Sequence, residues 1–127
     1  MITSRMMRLC WIILALMLWF PAQAQVAHAA QGRQTGLPAI TLAELTAEAH
    51  VTLRAIKQGG PFTYERDGAV FGNYERKLPK QTRGYYHEYT VKTPGSRDRG
   101  ARRIISGEVN EYYYTTDHYQ TFKRIRE

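Results

Sequence analysis

Four short segments in the C-terminal part of the chain are rich in tyrosine, threonine, valine and isoleucine, and they constrain the fold more than any other feature. They are residues 86–91, 102–106, 111–115 and 121–125. β-branched and aromatic residues fit the half-buried surface of a sheet, so each segment is predicted to be a strand. The connections contain Pro94-Gly95, Gly107 or Asp117, which are typical turn residues. The sequence therefore predicts an antiparallel meander.

A helical pattern precedes the strands. Thr41 and Glu44 have the spacing of a capping box, in which two side chains satisfy backbone N–H groups at a helix start. Gly59, Gly60 and Pro61 then mark a helix end. One helix followed by a run of strands is typical of an α+β domain in which the helix packs against the sheet. The apolar residues recur at helical spacing and form one face: Leu42, Leu45, Ala49, Leu53 and Ile56.

The N-terminal residues have the three parts of a secretory signal peptide. Arg5 and Arg8 give a positive start, residues 9–20 are an unbroken apolar run, and residues 22–24 read Ala-Gln-Ala, which matches a cleavage site. A membrane anchor is the alternative interpretation. The apolar run is shorter than the roughly 20 residues of a spanning helix, and Pro21 follows it, so a cleaved signal is favoured.

These features predict the processing and layout of the chain. We expect a signal peptide at residues 1–24, a flexible leader at residues 25–38 and a folded domain at residues 39–127, in a secreted, extracellular protein. The only cysteine, Cys10, lies in the expected signal peptide. The mature domain is therefore expected to have no disulfide bond, although its compartment permits one.

The chain is strongly basic. It carries 18 Lys and Arg against 11 Asp and Glu, a formal net charge of +7 at pH 7. Such an excess favours polyanionic partners, which include nucleic acids, acidic polysaccharides and anionic membranes. Charge alone does not choose among them, and a solvated basic surface is the ordinary alternative.

Chemistry-bearing side chains are concentrated in and after the first predicted strand of the meander. A carboxylate is followed by a cluster of cations and then by a histidine: Glu88, Arg97, Arg99, Arg102, Arg103 and His118. Alternate residues of a strand share one face. If the turn centres near residues 95–96, Glu88 lies opposite Arg103 on the same face of the sheet, and the 97–100 loop lies over the end of that pair.

This combination suits cleavage of RNA through attack of its own 2′-hydroxyl. One group must accept the 2′ proton and another must protonate the departing 5′ oxygen, and Glu88 and His118 are the candidates for base and acid. Arginine donates two hydrogen bonds to phosphate and stays charged, which suits the negative charge of the transition state. Each residue alone has an ordinary alternative: an ion pair for Glu88 and a surface position for His118. A non-catalytic basic module that binds RNA, glycans or an anionic surface is the competing hypothesis.

Three motifs extend this interpretation: GPFTYERDGAVFGNYERKLP, RGYYHEYTVKTPGSRDRGARRIISGE and YYYTTDHYQTF. Together they closely resemble the guanyl-specific microbial ribonucleases, above all the secreted streptomycete enzymes and more distantly barnase, from about residue 42 to residue 125. The resemblance implies an α+β fold with one helix on a twisted antiparallel sheet. It also implies that Glu88 is the general base and His118 the general acid. Arg99 and Arg103 would bind the phosphate, and Tyr119 would contact it.

The resemblance further implies a guanine site in a loop that otherwise looks like an ordinary turn: Phe71, Gly72, Asn73, Tyr74 and Glu75. The Glu75 carboxylate would accept hydrogen bonds from guanine N1 and its exocyclic amine, and backbone N–H groups at residues 72–74 would bind O6 and N7. Two residues depart from the family pattern. Tyr74 stands where bacterial relatives often have arginine, and Gly72 replaces a polar residue. A tyrosine ring can still stack on the base.

The implied activity is cleavage of single-stranded RNA 3′ of guanosine through a 2′,3′-cyclic phosphate, with no metal or cofactor. The disulfide of the streptomycete enzymes has no counterpart in the mature domain. Single-stranded RNA is the expected partner, and a barstar-like acidic inhibitor protein is a further partner implied by the family. The protein is expected to be a monomer without membrane contact after signal cleavage. Nutrient scavenging and attack on neighbouring cells are both compatible with this activity.

Activity on RNA is predicted to have a bell-shaped dependence on pH. An ionised glutamate and a protonated histidine coexist in mildly acidic solution, because these side chains ordinarily titrate near about pH 4.3 and 6.5. Initial cleavage rates measured from acid to alkaline pH check this prediction. A flat profile would contradict the assignment of base and acid to Glu88 and His118.

Overall fold

A computed structural model describes residues 36–127 of the protein. The expected signal peptide and most of the expected leader, residues 25–35, lie outside the described residues, so both stay predictions. Within residues 36–127, no helix has the length and apolar character needed to cross a membrane.

Residues 36–127 form one α-helix and a six-stranded sheet. The strand order across the sheet is β1-β6-β5-β4-β3-β2. Neighbouring strands from β2 to β6 are antiparallel, whereas β1 pairs with β6 in parallel. The predicted α+β class is confirmed, but the sheet is mixed at its β1 edge and not wholly antiparallel. In chain order the elements are β1 Ala39–Thr41, a 3-10 turn Leu42–Glu44, α1 Ala47–Gln58, β2 Ala69–Val70, β3 His87–Thr90, β4 Arg103–Ser106, β5 Tyr112–Thr115 and β6 Lys123–Arg126.

The predicted meander is formed by β3, β4, β5 and β6. The first three of these strands lie within the predicted segments, and β6 ends one residue later than its segment. The edge strands β1 and β2 contain three and two residues, which is too short to leave a recognisable period in the sequence.

The predicted capping box forms, but it caps a short turn and not the helix. The Glu44 carboxylate accepts the backbone N–H of Thr41 at 2.7 Å and its hydroxyl at 2.8 Å, and the chain is extended again at the next residue. Helix α1 begins after Thr46, whose hydroxyl accepts the N–H of Ala49 at 3.3 Å. It ends at Gly59, which has φ 77°, a left-handed conformation that glycine adopts without strain.

The sheet separates two apolar cores. On one face, α1 contributes Ala49 and Leu53 to a core that also contains Leu45, Ile104 and other buried residues. The opposite face has no helix in the described part of the chain, and loops cover its core. That second core consists of Leu78, Tyr86, Ile105, Tyr113 and Phe122, with Phe71 and Tyr119 partly buried against it. Two of the predicted site residues therefore pack on the face opposite the helix.

Glu88 and Arg103 lie on the same face of the sheet, as predicted, but they are not directly opposite. Glu88 pairs with Ile105, and Arg103 pairs with Thr90. The predicted register is therefore wrong by two residues. Because side chains alternate between faces, a shift of two residues leaves every side chain on its predicted face, and Glu88 and Arg103 are diagonal neighbours.

The register error arises in the connection between β3 and β4, which is longer than a tight hairpin. The N–H of Val91 still bonds to the carbonyl oxygen of Arg102 at 3.1 Å, and a separate turn is closed by the N–H of Ser96 and the carbonyl oxygen of Thr93 at 3.1 Å. Local turn residues specify that separate turn. They do not specify which residues pair after the remainder of the loop.

Truncating Leu53 to alanine is predicted to lower the free energy of unfolding by about 2–5 kcal/mol, because it leaves a cavity between α1 and the sheet. Leu53 is 3% exposed. Denaturant unfolding followed by circular dichroism measures the change. Val51, on the same helix but 63% exposed, provides the matched control, and Val51→Ala should change the value by less than about 0.5 kcal/mol. Similar losses in both variants would contradict the observed face of α1.

Candidate active site

Glu88 is a buried carboxylate surrounded by donors and cations. It lies on β3 and is 8% exposed. The Tyr119 hydroxyl donates to Oε2 at 3.0 Å. Two guanidinium groups face Oε1, with Arg66 Nε at 3.7 Å and Arg99 Nη2 at 3.8 Å. These partners satisfy a carboxylate that would otherwise be costly to bury, and they leave it available as an acceptor.

The two predicted phosphate-binding arginines are fixed by the sheet and by the loop before β4. Arg99 donates to Thr90 Oγ1 through Nε at 3.1 Å and Nη2 at 2.9 Å. Arg103 is 2% exposed, and its Nη1 donates to the carbonyl oxygens of Gly100 and Arg102 at 2.9 and 2.8 Å. Within the described residues, its buried Nε has no hydrogen-bond partner. This Nε is therefore an unsatisfied donor in the buried centre of the sheet.

The loop that carries Arg99 closes tightly on itself. Asp98 Oδ1 accepts the Ser96 hydroxyl and the backbone N–H of Gly100, both at 2.8 Å, and the bond from Ser96 is the main reason that the pKa of Asp98 is lowered. Gly100 has φ +63°, and a Cβ there would lie 2.4 Å from Thr93 Oγ1. Only glycine fits this position without strain, and its carbonyl oxygen is thereby brought to Arg103.

His118 and Tyr119 occupy a strained loop after β5. Both have positive φ, 54° and 71°, and such non-glycine conformations cost on the order of 1–3 kcal/mol each. Backbone hydrogen bonds hold the loop in place: the His118 N–H donates to the carbonyl oxygen of Ala101 at 3.0 Å, and the Tyr119 N–H donates to Thr115 Oγ1 at 3.2 Å. Backbone strain held by surrounding structure is typical of functional sites.

Asp117 clamps the same loop from within. Its carboxylate accepts hydrogen bonds from the Thr115 hydroxyl at 2.9 Å, the Thr121 N–H at 2.9 Å and the Thr121 hydroxyl at 2.6 Å. These bonds, and first of all the one from the Thr121 hydroxyl, lower the pKa of Asp117 from 3.8 to about 2. The ionised carboxylate thus positions the two residues that follow it.

Tyr119 connects the parts of the site. Its hydroxyl binds Glu88, and its ring centroid lies 4.8 Å from that of His118 and 5.2 Å from that of Phe71, on which it stacks. The Arg103 guanidinium lies 5.9 Å from the ring centroid. Burial, and then the Glu88 carboxylate, raise the pKa of Tyr119, so its hydroxyl stays a donor at neutral pH. The structure therefore connects four of the predicted residues, Glu88, Arg99, Arg103 and Tyr119, by direct contacts. The exposed His118 side chain adjoins this group through the Tyr119 ring.

The predicted guanine loop is held in shape by its own side chains. Asn73 has φ 51°, and its side chain exchanges two hydrogen bonds of 3.0 Å with the backbone of Leu78. A Cβ at Gly72 would lie 2.5 Å from the Tyr74 ring, so the absence of a side chain lets this ring rest against the backbone. Arg83 Nη1 donates to the Tyr74 hydroxyl at 2.8 Å.

An open cleft of about 290 Å³ extends from the guanine loop to Glu88 and Tyr119, whereas His118, Arg99 and Arg103 are not among its lining residues. It is lined by all of residues 71–75 and by Glu88 and Tyr119, and its size is near the lower end for ligand sites. The Glu75 carboxylate lies 3.5 Å from Lys77 Nζ, which also donates to the carbonyl oxygen of Gln120 at 2.6 Å. Lys77 thereby ties the guanine loop to the loop of His118.

Sequence analysis missed three residues of this site. Arg66 and Lys77 stand in turn-rich segments, where nothing local distinguishes them from solvated cations. Asp117 was interpreted only as a turn residue, because aspartate is a common turn residue.

Two other arginines of the predicted cluster lie outside this site. Arg97 is exposed, and Arg102 lines a different surface pocket. In the described part of the chain, no three His, Cys, Asp or Glu side chains are grouped as metal ligands.

Replacing Asp117 by asparagine is predicted to remove a pH-dependent contribution to stability. Its pKa is lower in the folded protein than its ordinary 3.8. The ionised group therefore stabilises the fold above about pH 4, and this contribution is lost as the pH falls through about 2. The difference in Tm between wild type and Asp117→Asn should be largest near neutral pH and should shrink in acid, which thermal unfolding at several pH values measures.

Glu65→Gln is the control for this pH series, because Glu65 is exposed and makes no hydrogen bond or ion pair within residues 36–127. Its difference in Tm from wild type should be small throughout. A difference for Asp117→Asn that stays constant from neutral pH to about pH 2 would contradict the clamp.

Comparison with known proteins identifies the family. A family model described as ribonuclease matches residues 28–126. The chain is 51% identical over 92 residues to guanyl-specific ribonuclease St of Saccharopolyspora erythraea, covering 72% of this chain and 91% of that protein. It is 58% identical over 87 residues to guanyl-specific ribonuclease Sa of Kitasatospora aureofaciens, covering 68% and 91%. The structure is similar to that of ribonuclease Sa2 with guanosine-2′-cyclophosphate, with a TM-score of 0.68 and 48% identity, covering 71% of this chain and 96% of that chain. The chain therefore belongs to the ribonuclease family of these guanyl-specific enzymes.

Proposed function

We propose that this protein is a guanyl-specific endoribonuclease that cleaves single-stranded RNA 3′ of guanosine. The observation that carries the proposal is the continuity of one cleft, which is lined both by residues 71–75 and by Glu88 and Tyr119. A bound guanosine can place its base and its 3′ phosphate in these two parts at once, so binding the base also aligns the reacting atoms. The guanyl-specific names of the St and Sa relatives, and the guanosine cyclophosphate bound by Sa2, support the same substrate.

In the first step, the 2′-hydroxyl attacks the phosphorus of its own 3′ phosphate. The Glu88 carboxylate accepts the 2′ proton as the new oxygen–phosphorus bond forms. The bond from phosphorus to the 5′ oxygen of the next nucleotide breaks, and His118 donates a proton to that oxygen. The products are a 2′,3′-cyclic phosphate and a free 5′-hydroxyl. In the second step the roles reverse: water attacks the phosphorus and gives a proton to His118, the bond from phosphorus to the 2′ oxygen breaks, and Glu88 returns a proton to that oxygen. The product is a 3′-phosphate.

The cations stabilise the charge that grows on the non-bridging oxygens. Arg99 is held by Thr90 and Arg103 by backbone carbonyl groups, so both guanidinium groups are in position before the substrate arrives. Pre-positioned donors need no reorganisation during the reaction, and this is the main source of their effect. The Tyr119 hydroxyl, kept protonated by burial, donates its one proton to Glu88 in the free protein and would turn it to the phosphate when the substrate binds. Arg66, whose Nε lies 3.7 Å from Glu88 Oε1, adds a third positive charge.

Guanine recognition is assigned to the loop that Asn73 locks. The Glu75 carboxylate accepts hydrogen bonds from N1 and the exocyclic amine, two donors that adenine does not present in that pattern. The side chain of Glu75 is 69% exposed and its pair with Lys77 spans 3.5 Å, and an exposed pair of this kind contributes little energy that guanine would have to replace. The rings of Phe71 and Tyr74 enclose the base, and the backbone N–H groups of residues 72–74 bind O6 and N7.

We also propose that the reaction needs no metal and that the protein acts outside the cell. The substrate supplies its own nucleophile, two side chains move the protons, and arginines carry the charge stabilisation, so every role is filled by the chain or by the RNA. The residues before the folded domain support secretion. The positive net charge of the chain would let an acidic, barstar-like inhibitor block a monomer of this protein by electrostatic complementarity.

Glu88→Gln and His118→Ala are each predicted to reduce kcat/KM on GpC-type dinucleotides by about 10²- to 10⁴-fold, the usual contribution of a general base or acid. The reason is that glutamine cannot accept the 2′ proton and alanine cannot protonate the 5′ oxygen. Rates are measured on the purified protein with EDTA present, so that metal dependence is tested in the same experiment.

Glu108→Gln and His50→Ala are the matched controls, because they remove the same chemical groups from the connection between β4 and β5 and from α1. Both should retain wild-type rates. No turnover by the wild type in EDTA, or undiminished turnover in both active-site variants, would falsify the proposed mechanism in favour of a basic binding module. Cuts after every base on a longer RNA would contradict the assignment of Glu75.

A further inference from the structure

A second pocket shares one wall with the catalytic cleft. Its volume is about 320 Å³, close to that of the cleft. Residues 71–74 line both. Beyond this common wall the lining differs completely, since Glu88 and Tyr119 belong only to the cleft, whereas the second pocket continues along residues 80–83. The chain that forms the guanine loop thus presents two concave surfaces.

The second pocket is basic, in contrast to the cleft. Arg76, Lys80 and Arg83 line it, and no aspartate or glutamate does, whereas Glu75 and Glu88 line the cleft. Within residues 36–127, none of these three cations forms an ion pair with a carboxylate. Three cations around one concave surface, without a carboxylate to neutralise them, create a positive potential that attracts an anion.

The wall between the two surfaces is an exposed aromatic ring. Tyr74 is 82% exposed, yet its ring rests against Gly72 and its hydroxyl accepts a hydrogen bond from Arg83. The turn that carries Arg76 is closed by the bond from its N–H to the carbonyl oxygen of Asn73 at 2.9 Å. Because Asn73 is itself locked to Leu78, the cations and the guanine loop form one unit, and an exposed ring in such a unit is a stacking surface for a nucleobase.

We propose that this second pocket is an RNA subsite that binds the phosphate of a nucleotide adjacent to the cleaved guanosine. The proposal rests on the proposed function. A single strand seated in the cleft carries a negative charge at every nucleotide, and where it passes the Tyr74 wall it meets the three cations. Guanidinium and ammonium groups bind such phosphates through charge-assisted hydrogen bonds, independently of base sequence. The phosphate belongs to either the 5′ or the 3′ side of the guanosine, and the chemistry of recognition is the same.

The double variant Arg76→Ala/Lys80→Ala tests this subsite, because neither side chain lines the cleft. Its kcat/KM is compared with wild type on GpC, on GpC with a 5′-terminal phosphate and on GpC with a 3′-terminal phosphate, at low ionic strength. Cleavage of GpC should change no more than it does in a variant with the same net charge. Cleavage of the dinucleotide whose extra phosphate reaches the pocket should fall about tenfold, and its logarithmic salt dependence should weaken by about one unit. Loss with the 5′-phosphorylated substrate assigns the 5′ side, and loss with the 3′-phosphorylated substrate assigns the 3′ side.

Arg54→Glu is the matched control, because it changes the net charge by the same amount on the exposed surface of α1. It should reduce all three rates by the same small factor. An equal loss on all three substrates in the double variant, or no loss on either phosphorylated substrate, overturns the subsite. Analogues of the three substrates that contain 2′-deoxyguanosine lack the attacking hydroxyl and cannot be cleaved. Their binding to wild type and to the double variant is therefore a measurement that does not depend on turnover. A wild type that binds the phosphorylated ligands more tightly than the double variant does, yet cleaves nothing, supports the subsite and contradicts the proposed function.

Discussion

One row of paired residues across three strands supports the whole candidate site. Thr90, Arg103 and Thr115 lie side by side on β3, β4 and β5. Thr90 accepts hydrogen bonds from the Arg99 guanidinium, and Thr115 accepts the N–H of Tyr119. Arg103 lies between these two threonines and is buried. Both loops over the sheet are thus anchored to the same row. A slip of one residue in either pairing would turn these side chains toward the helix face, and the cations would lose their common position.

The site is built at a cost to stability. Arg103 is 2% exposed, yet within residues 36–127 it forms no ion pair, and its Nε has no hydrogen-bond partner. A buried charge without a counter-charge is unfavourable, and the two consecutive left-handed residues at His118 and Tyr119 add strain. A phosphate would supply the missing counter-charge and acceptor. The buried Arg103 charge and the strained backbone of His118 and Tyr119 lower the stability of the free protein, and the same features favour binding of an anionic transition state.

The elements of this fold follow from local periodicity, whereas the site depends on pairings that no local pattern encodes. The apolar spacing from Ala49 to Ile56 and the alternation around Glu88 gave the correct faces, because side-chain direction repeats with a fixed period. Leu42 and Leu45 reach the same core from the residues that precede α1. The register between β3 and β4 could not be derived, since a long loop places no limit on which residues meet. Arg66 and Lys77 carry no sequence signal, because their partners are distant in the chain. The guanine loop was recognised only through family resemblance, since Phe71 to Glu75 otherwise reads as an ordinary turn.

Communication between the guanine loop and the catalytic loop rests on Lys77. Its ammonium group contacts the Glu75 carboxylate and the carbonyl oxygen of Gln120, two residues after His118. In the proposed complex, guanine would take over the Glu75 carboxylate, and Lys77 would keep its hydrogen bond to the carbonyl oxygen of Gln120. This remaining bond would hold the guanine loop beside the loop of His118 while the base is bound. Since a small displacement of reacting groups can lower a rate by two orders of magnitude, the link would let base recognition and alignment of His118 occur in the same binding event.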